Sequence, residues 1–461
     1  MPSGWSGSTR LRKVRAMSDP DLTDGSRLTV YVLDNRQAVE KAAGSRGVGG
    51  FYVGRASGSV AFVSPDTDGF EGREAKQPDV VFFHEYLHHL MLSEQKGAIP
   101  AWMVEGGAEF FATAVVEPTG VVSFGAPPYG RGSLVLGDVG FNAKQLLTQA
   151  EAFDGLDHIS LYSKGWLLSH YLTFKPGGPQ QLATYLRGIS GGKAALAAAE
   201  EAFGDLRALD RELDRYAANR KFNAIRVEAG PPPIVTVRAL TAGGDEIMPY
   251  RMRSESGVDA QGARSVVAAA RKIAARHPAD VFVQGALAEA EFDAKNHADA
   301  IAAADRALAV DPKNVQALVY KGRALAELAR KDPAKADWAS IRNWFVKANK
   351  ADVENAEPLY LYYQSFEWSG QRPTLDAVKG LRYAHALAPQ DDGLRVATVK
   401  QYLADGNSAA AARLFGTLVF DAHGGKKTPL TRAYEEMKAG KAKEALAILD
   451  AEEEKAKKKR G

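Results

Sequence analysis

Two histidines and a glutamate within five residues, His84-Glu85-Tyr86-Leu87-His88, could form a metal site. On a helix, His84 and His88 lie one turn apart on the same face, where two imidazoles can reach one Zn²⁺. Glu85 would then lie beside the position that water occupies, where a carboxylate can accept a proton. The chain contains no cysteine, so any metal must be bound through His, Asp or Glu.

The alternative interpretation of this motif is a surface helix with scattered polar residues. The apolar stretches VVFF before the motif and LML after it argue against that alternative, because they predict a buried helix whose polar groups need partners. A catalytic zinc site keeps three protein ligands and one open position, so a third ligand is required. His89 points about 100° away from His88 around the helix and is predicted not to bind the metal.

The downstream segment PAWMVEGGAEFF resembles a motif of the gluzincin metallopeptidases, in which HExxH is followed by a helix with the pattern W-x-x-E-G-x-A. Trp102, Glu105, Gly106 and Ala108 match that pattern. The resemblance implies that Glu105 is the third ligand of one Zn²⁺ per chain. Sixteen residues separate His88 from Glu105, a slightly shorter connection than in thermolysin-like and aminopeptidase N-like enzymes.

Glu109 and Tyr162 are candidates for supporting roles. Glu109 follows Glu105 by one helical turn and could accept the second N–H of a zinc-bound imidazole; the alternative is a solvated helix residue. The segment LYSKGWLLSHYL resembles the Y-x-K-G segment of aminopeptidase N-like enzymes, which implies that Tyr162 stabilises the oxyanion. The alternative is a tyrosine packed in a helical core, and His158 is a weaker candidate for the same task.

A substrate-binding strand is predicted upstream of the helix. The G-A-M-E-N motif of aminopeptidase N-like enzymes is missing before His84, so the sequence favours an endopeptidase. In its place is GGFYVGRASGSVAFV, in which Gly50, Phe51, Tyr52 and Val53 could present a sheet edge to an extended substrate. The alternative is a strand with a purely structural role.

The elements around these motifs predict an α+β catalytic domain, which the resemblance implies is zincin-like. A strand is expected from Arg27 to Asp34, then a short helix ending at Gly44 and two strands between residues 47 and 65 at the edge of the sheet. Residues 1–80 would form the α/β part. Residues 81–222, beginning with a helix capped by Asp79, would form the helical part with the zinc site.

Residues 223–262 contain three consecutive prolines, the stretch IVTVRAL and several glycines, and are predicted to form a β-rich linker. Residues 263–461 are alanine-rich and resemble tetratricopeptide repeats, with a spacing of 34 residues between Ala288 and Gly322. The alternative is an ordinary helical bundle. The residues at the close-packing and terminating positions of two copies are Ala288, Ala300, Ala307, Pro312, Ala377, Ala384 and Pro389.

Composition excludes some classes of function. A net charge of +3 from 59 basic and 56 acidic residues is too balanced for nucleic-acid binding, and no apolar run is long enough to span a bilayer. The first residues lack the apolar core of a signal peptide. Because the basic segment RLRKVRAM comes just before the first strand, we expect the true start to lie upstream; location is therefore not assigned, and an exported protein stays open.

Together, these residues predict a zinc metallopeptidase that hydrolyses peptide bonds with a metal-activated water and Glu85 as general base. The repeats would bind a protein partner or part of the substrate. One alternative is an inactive peptidase-like scaffold that acts through its repeats. Another is a zinc hydrolase that acts on a non-peptide bond.

Overall fold

The computed structural model describes residues 27–65, 79–94, 97–128, 142–148, 155–228, 235–419 and 429–460; at 155–160 and 457–460 it describes the backbone only. Within these ranges the chain forms two small sheets and a large number of helices. No helix among them is both long and apolar enough to cross a membrane.

The N-terminal sheet has three strands, β1 (Leu28–Val32), β2 (Gly50–Val53) and β3 (Ser59–Val63). Helix α1 (Arg36–Ala43) follows β1 and ends, as predicted, at Gly44, whose φ of 69° suits a residue without a side chain. The strand order is β1-β3-β2, with β3 parallel to β1 and antiparallel to β2. The central strand is therefore β3, and β2 is an edge strand.

A helical layer follows the sheet. Helices α2 (Val80–Ser93) and α3 (Ala101–Ala112) carry the two metal-site motifs, and α2 packs on one face of the sheet through β2 and β3. A second, antiparallel sheet pairs two strands that follow α3, β4 (Val115–Val116) and β5 (Val121–Phe124), with a later strand, β6 (Ile225–Glu228), in the order β4-β5-β6. The remaining elements of this part are α4 (Ala143–Thr148), α5 (Gly155–Phe174), α6 (Gly178–Ser190), α7 (Ala195–Phe203) and α8 (Leu206–Ala218).

The C-terminal half is a tetratricopeptide-like helical-repeat fold in which consecutive helices pack in pairs. The first helices of the first three pairs also contact one another, so they form a continuous inner layer. The alanines predicted to allow close packing are fully buried. The helices are α9 (Ala242–Glu255), α10 (Ala260–Arg276), α11 (Val281–Asp293), α12 (His297–Val310), α13 (Val315–Ala329), α14 (Trp338–Ala351), α15 (Ala356–Trp368), α16 (Leu375–Leu387), α17 (Asp392–Ala404), α18 (Ser408–Val419), α19 (Pro429–Lys438) and α20 (Ala442–Arg460).

The predicted β-rich linker at 223–262 is wrong for most of its described length. Only β6 is a strand; residues 235–240 have no regular structure, and the rest of IVTVRAL lies outside the described residues. Helix α9 follows, and Thr241 caps it by accepting a hydrogen bond from Gly244 N. The glycines of this stretch suggested a linker, but the packing of α9 on α10 and α11 overrides the low helix propensity of those glycines and of Pro249.

Helix α9 also covers the second face of the N-terminal sheet. Met248 and Met252 of α9 pack on an aromatic cluster in which Phe62 stacks on Phe51 at 4.7 Å and on Tyr31 at 5.0 Å between ring centroids. The sheet therefore lies between helix α2, which contains His84 and His88, and the first helix of the repeats. Its central strand β3 is buried along its whole length.

Replacing Phe62 by alanine should lower the free energy of unfolding by about 4 kcal/mol, because it removes a fully buried ring from between two layers. Urea denaturation followed by circular dichroism would measure the loss. Val32→Ala in the exposed part of β1 is the control and should cost less than about 1 kcal/mol. Equal losses for both variants would contradict the burial of this sheet face.

Candidate metal centre

Helices α2 and α3 bring the three predicted ligands together. His84 and His88 lie one turn apart on α2, with their rings in an edge-to-face arrangement 4.7 Å apart. Glu105 projects from α3, which packs along α2. Among the described residues, these three are the one group of His, Asp or Glu side chains whose ligand atoms converge closely enough to hold a metal ion.

The three ligand atoms form a nearly regular triangle. The Nε2 atoms of His84 and His88 are 3.1 Å apart, and Glu105 Oε2 lies 3.4 Å from the first and 3.6 Å from the second. A tetrahedral zinc ion with bonds of about 2.0–2.1 Å requires edges of roughly 3.3 Å between its ligands. Glu105 Oε2 is also buried from water, which suits an atom that faces an ion.

Glu109 lies one turn beyond Glu105 on α3, as predicted, and is buried. Its Oε1 atom is 3.3 Å from His84 Nδ1, the ring nitrogen on the side away from the triangle. A carboxylate in this position fixes the tautomer and orientation of a ligating imidazole. His88 Nδ1, in contrast, is buried without a hydrogen-bonding partner.

The pKa values of His84, His88 and Glu105 are all shifted from their ordinary values. Burial by itself lowers the pKa of His84, but hydrogen bonds to Glu105 and Glu109 outweigh it and raise that pKa to about 10. Burial lowers the pKa of His88 to about 4. Although burial acts to raise the pKa of Glu105, the adjacent histidines lower it to about 2. Without a metal, the cluster therefore keeps Glu105 ionised and holds a proton on His84, in a place where a cation could substitute for that proton.

Glu85 is buried between the metal cluster and the edge strand β2. A methyl group added to Gly50, the first residue of β2, would lie 3.1 Å from Glu85 Oε1 and only 2.5 Å from Val81 Cγ1. Glycine therefore allows the backbone of β2 to approach the carboxylate closely. The predicted strand Gly50–Val53 and the predicted base lie side by side.

Tyr162 of α5 lies beside the cluster. Its ring centroid is 5.7 Å from that of His84, and a hydrogen bond between Tyr162 and Glu105 helps to lower the pKa of Glu105. The hydroxyl is thus close to the ligand triangle, where a phenol could donate to a developing negative charge. Lys164 of the same segment points elsewhere, with Nζ 3.9 Å from Asp214 of α8.

Two glycines account for the position of Tyr162. Helices α3 and α5 cross at Gly106 and Gly165, where a methyl group on Gly106 would lie 2.1 Å from the Gly165 carbonyl carbon. One on Gly165 would lie 2.6 Å from Trp102 O. The sequence motifs contain both glycines, but only the structure shows that they contact each other.

His89, next to the motif, does not contribute a ligand atom to the triangle. His89 is buried and faces the sheet, with its ring 5.8 Å from the ring of Tyr52. Its ring therefore lies on the sheet side of the helix, away from the triangle. His158 lies on α5 at a position where side chains fall outside the described part of the chain, so its candidacy stays a prediction.

Among solved structures, the chain is similar to tetratricopeptide-repeat proteins. The chain matches no protein-family model, and no curated protein matches it in sequence. A thermophilic tetratricopeptide-repeat protein from Thermus thermophilus aligns over 42% of this chain and 98% of its own, with 15% identity and a TM-score of 0.34. A tetratricopeptide repeat protein from Parabacteroides merdae aligns over 60% of this chain and 92% of its own, with 13% identity and a TM-score of 0.31. The gluzincin assignment therefore stays a prediction that rests on the residues and their geometry.

Gly106→Ala should destabilise the protein by about 3 kcal/mol, because its methyl group would overlap the backbone of α5. Thermal unfolding would measure this change. Gly107→Ala is a matched control on the same helix, since its methyl group would meet Met91 Sδ at an ordinary 3.5 Å. Similar melting temperatures for the two variants would contradict the direct contact of α3 and α5.

Proposed function

We propose that this chain is a zinc-dependent peptidase of the gluzincin type, with one Zn²⁺ held by His84, His88 and Glu105. The observation that carries the proposal is the triangle of ligand atoms with edges of 3.1 to 3.6 Å, formed by side chains from two helices. When bound, the ion would lower the pKa of a water toward about 7 and polarise a carbonyl group.

Three further residues would have separate roles in the reaction. Glu85 would take the proton from the attacking water, because its carboxylate lies between the cluster and the strand along which a substrate would extend. Tyr162 would donate a hydrogen bond to the oxyanion of the tetrahedral state. Glu109 would keep His84 oriented through Nδ1.

Substrate binding is proposed at the free edge of β2. Among the residues that the structure describes, Gly50, Phe51, Tyr52 and Val53 pair with β3 alone, so their other edge could hydrogen-bond an extended peptide. Such pairing uses backbone N–H and C=O groups and does not require a chain terminus. It therefore favours cleavage within a polypeptide, that is, an endopeptidase. A peptide or protein is therefore the proposed class of substrate.

A second candidate function is a scaffold that binds a protein partner through its repeats and has no catalytic activity. The tetratricopeptide-like fold of the C-terminal half supports it, since such repeats offer extended binding surfaces. A scaffold, however, has no need for a buried cluster of two imidazoles and two carboxylates, which is costly to desolvate. We therefore place the peptidase first.

Glu85→Gln should lower the rate of peptide hydrolysis by about 10³-fold while zinc stays bound at one equivalent, because the amide cannot accept the proton from water. Glu105→Ala, in contrast, should lose zinc. Metal analysis of dialysed protein and cleavage of a fluorogenic peptide library would separate these effects. Full zinc occupancy in Glu105→Ala would show that the third ligand lies elsewhere.

Tyr162→Phe should lower kcat by about 10²-fold and change KM little, because the hydroxyl is needed mainly when negative charge develops on the carbonyl oxygen. Steady-state kinetics on a peptide selected from the library would measure both constants. A variant as active as the original protein would assign Tyr162 to core packing instead.

A further inference from the structure

The N-terminal sheet packs on the first helix of the repeats and contacts the turns between later helices. Arg27, just before β1, forms ion pairs with Asp352 and Glu354 after α14. Arg55, in the loop after β2, donates a hydrogen bond to the carbonyl oxygen of Glu255 at the end of α9. These contacts, together with the packing of α9 on the sheet, fix the N-terminal sheet against the repeats.

One turn of the repeats touches the end of the proposed substrate strand. This docking turn, Ala388–Asp391, connects α16 to α17. Its backbone lies so close to Gly54, the residue after β2, that a methyl group on Gly54 would be 2.6 Å from Gln390 O. Asp391 Oδ2 accepts a hydrogen bond of 2.8 Å from Ala56 N in the β2–β3 loop.

A chain of polar contacts continues from the docking turn to the metal-site helix. Gln390 Nε2 donates to Ser59 Oγ at 3.1 Å, and Tyr52 Oη of β2 donates to the same oxygen at 2.8 Å. Tyr52 Oη also lies 3.4 Å from His89 Nδ1, next to the proposed ligand His88. Ser59 and His89 are both buried, so water does not compete strongly for these contacts.

We propose that the docking turn positions strand β2 for substrate binding, with Gln390 and Asp391 as its positioning residues. This inference rests on the proposed function and extends it to positioning of the same site by the repeats. Among the described strands β2 pairs with β3 alone, and the docking turn contacts Gly54 and Ala56 just after its far end. Weakening the turn should loosen the strand without disturbing the zinc ligands.

The turn two repeats earlier in the chain provides a matched comparison. Pro312-Lys313-Asn314 stands before α13 as Pro389-Gln390-Asp391 stands before α17. Asn314 caps α13 by accepting from Ala317 N, and Asp391 caps α17 with Oδ1 by accepting from Leu394 N. Asn314 has only one side-chain oxygen. Asp391 has two, and the second, Oδ2, accepts the hydrogen bond from Ala56 N.

Asp391→Asn is the sharpest variant, because asparagine keeps the cap, as Asn314 does, but presents an NH₂ donor where Ala56 N needs an acceptor. Gln390→Ala removes the contact with Ser59. Lys313→Ala, at the exposed position equivalent to Gln390, is the control. Hydrogen exchange measured on the full-length, zinc-loaded protein should show about tenfold lower protection over residues 50–60 in both test variants and no loss of protection in the control.

Kinetics on the selected fluorogenic peptide should show KM raised about fivefold, kcat within about twofold of the original value, and unchanged zinc content. Unchanged protection over residues 50–60 would overturn the inference, as would a fall in kcat at constant KM. If the zinc-loaded protein cuts no peptide, the proposed function fails, and hydrogen exchange alone then decides whether the turn holds the strand.

Discussion

Helices α3 and α5 cross with their backbones in contact at Gly106 and Gly165, and the geometry of the candidate site depends on this crossing. Glu105 and Glu109 extend from α3, and Tyr162 extends from α5. A side chain at either glycine would separate the helices by the thickness of a methyl group or more, which exceeds the tolerance of a metal site. Both glycines therefore set distances in the site without providing a functional group.

The parts of this fold that were predictable from the sequence are those fixed over short distances. The one-turn spacing of His84 and His88, the helix with Glu105 and Glu109, and the strands on either side of the β2–β3 loop all follow from local periodicity. The small residues of the repeats were predictable as well, because a tetratricopeptide-like repeat needs small residues at fixed positions where its helices pack closely. Zinc binding and catalysis are a separate matter and stay predictions.

What could not be predicted depends on contacts between distant segments. Helix α9 reads as a linker because two glycines and Pro249 lower its helix propensity, and it is stabilised by packing on α10 and α11 and on the sheet. Likewise, no local pattern marks Asp391 as a partner of Ala56, which is 335 residues away. The predicted boundary between catalytic and repeat domains therefore separates segments that share one core.

Strand β2 contains four residues and is bounded by glycines at positions 50 and 54, each of which allows another part of the molecule to approach the backbone. In an antiparallel pair, alternate residues direct their N–H and C=O groups to each side, so only two of the four can face outward. A segment pairing with this edge would be read through its main chain over about 7 Å. Such a short contact selects for an extended backbone. Any preference for particular amino acids must come from the side chains that surround the strand.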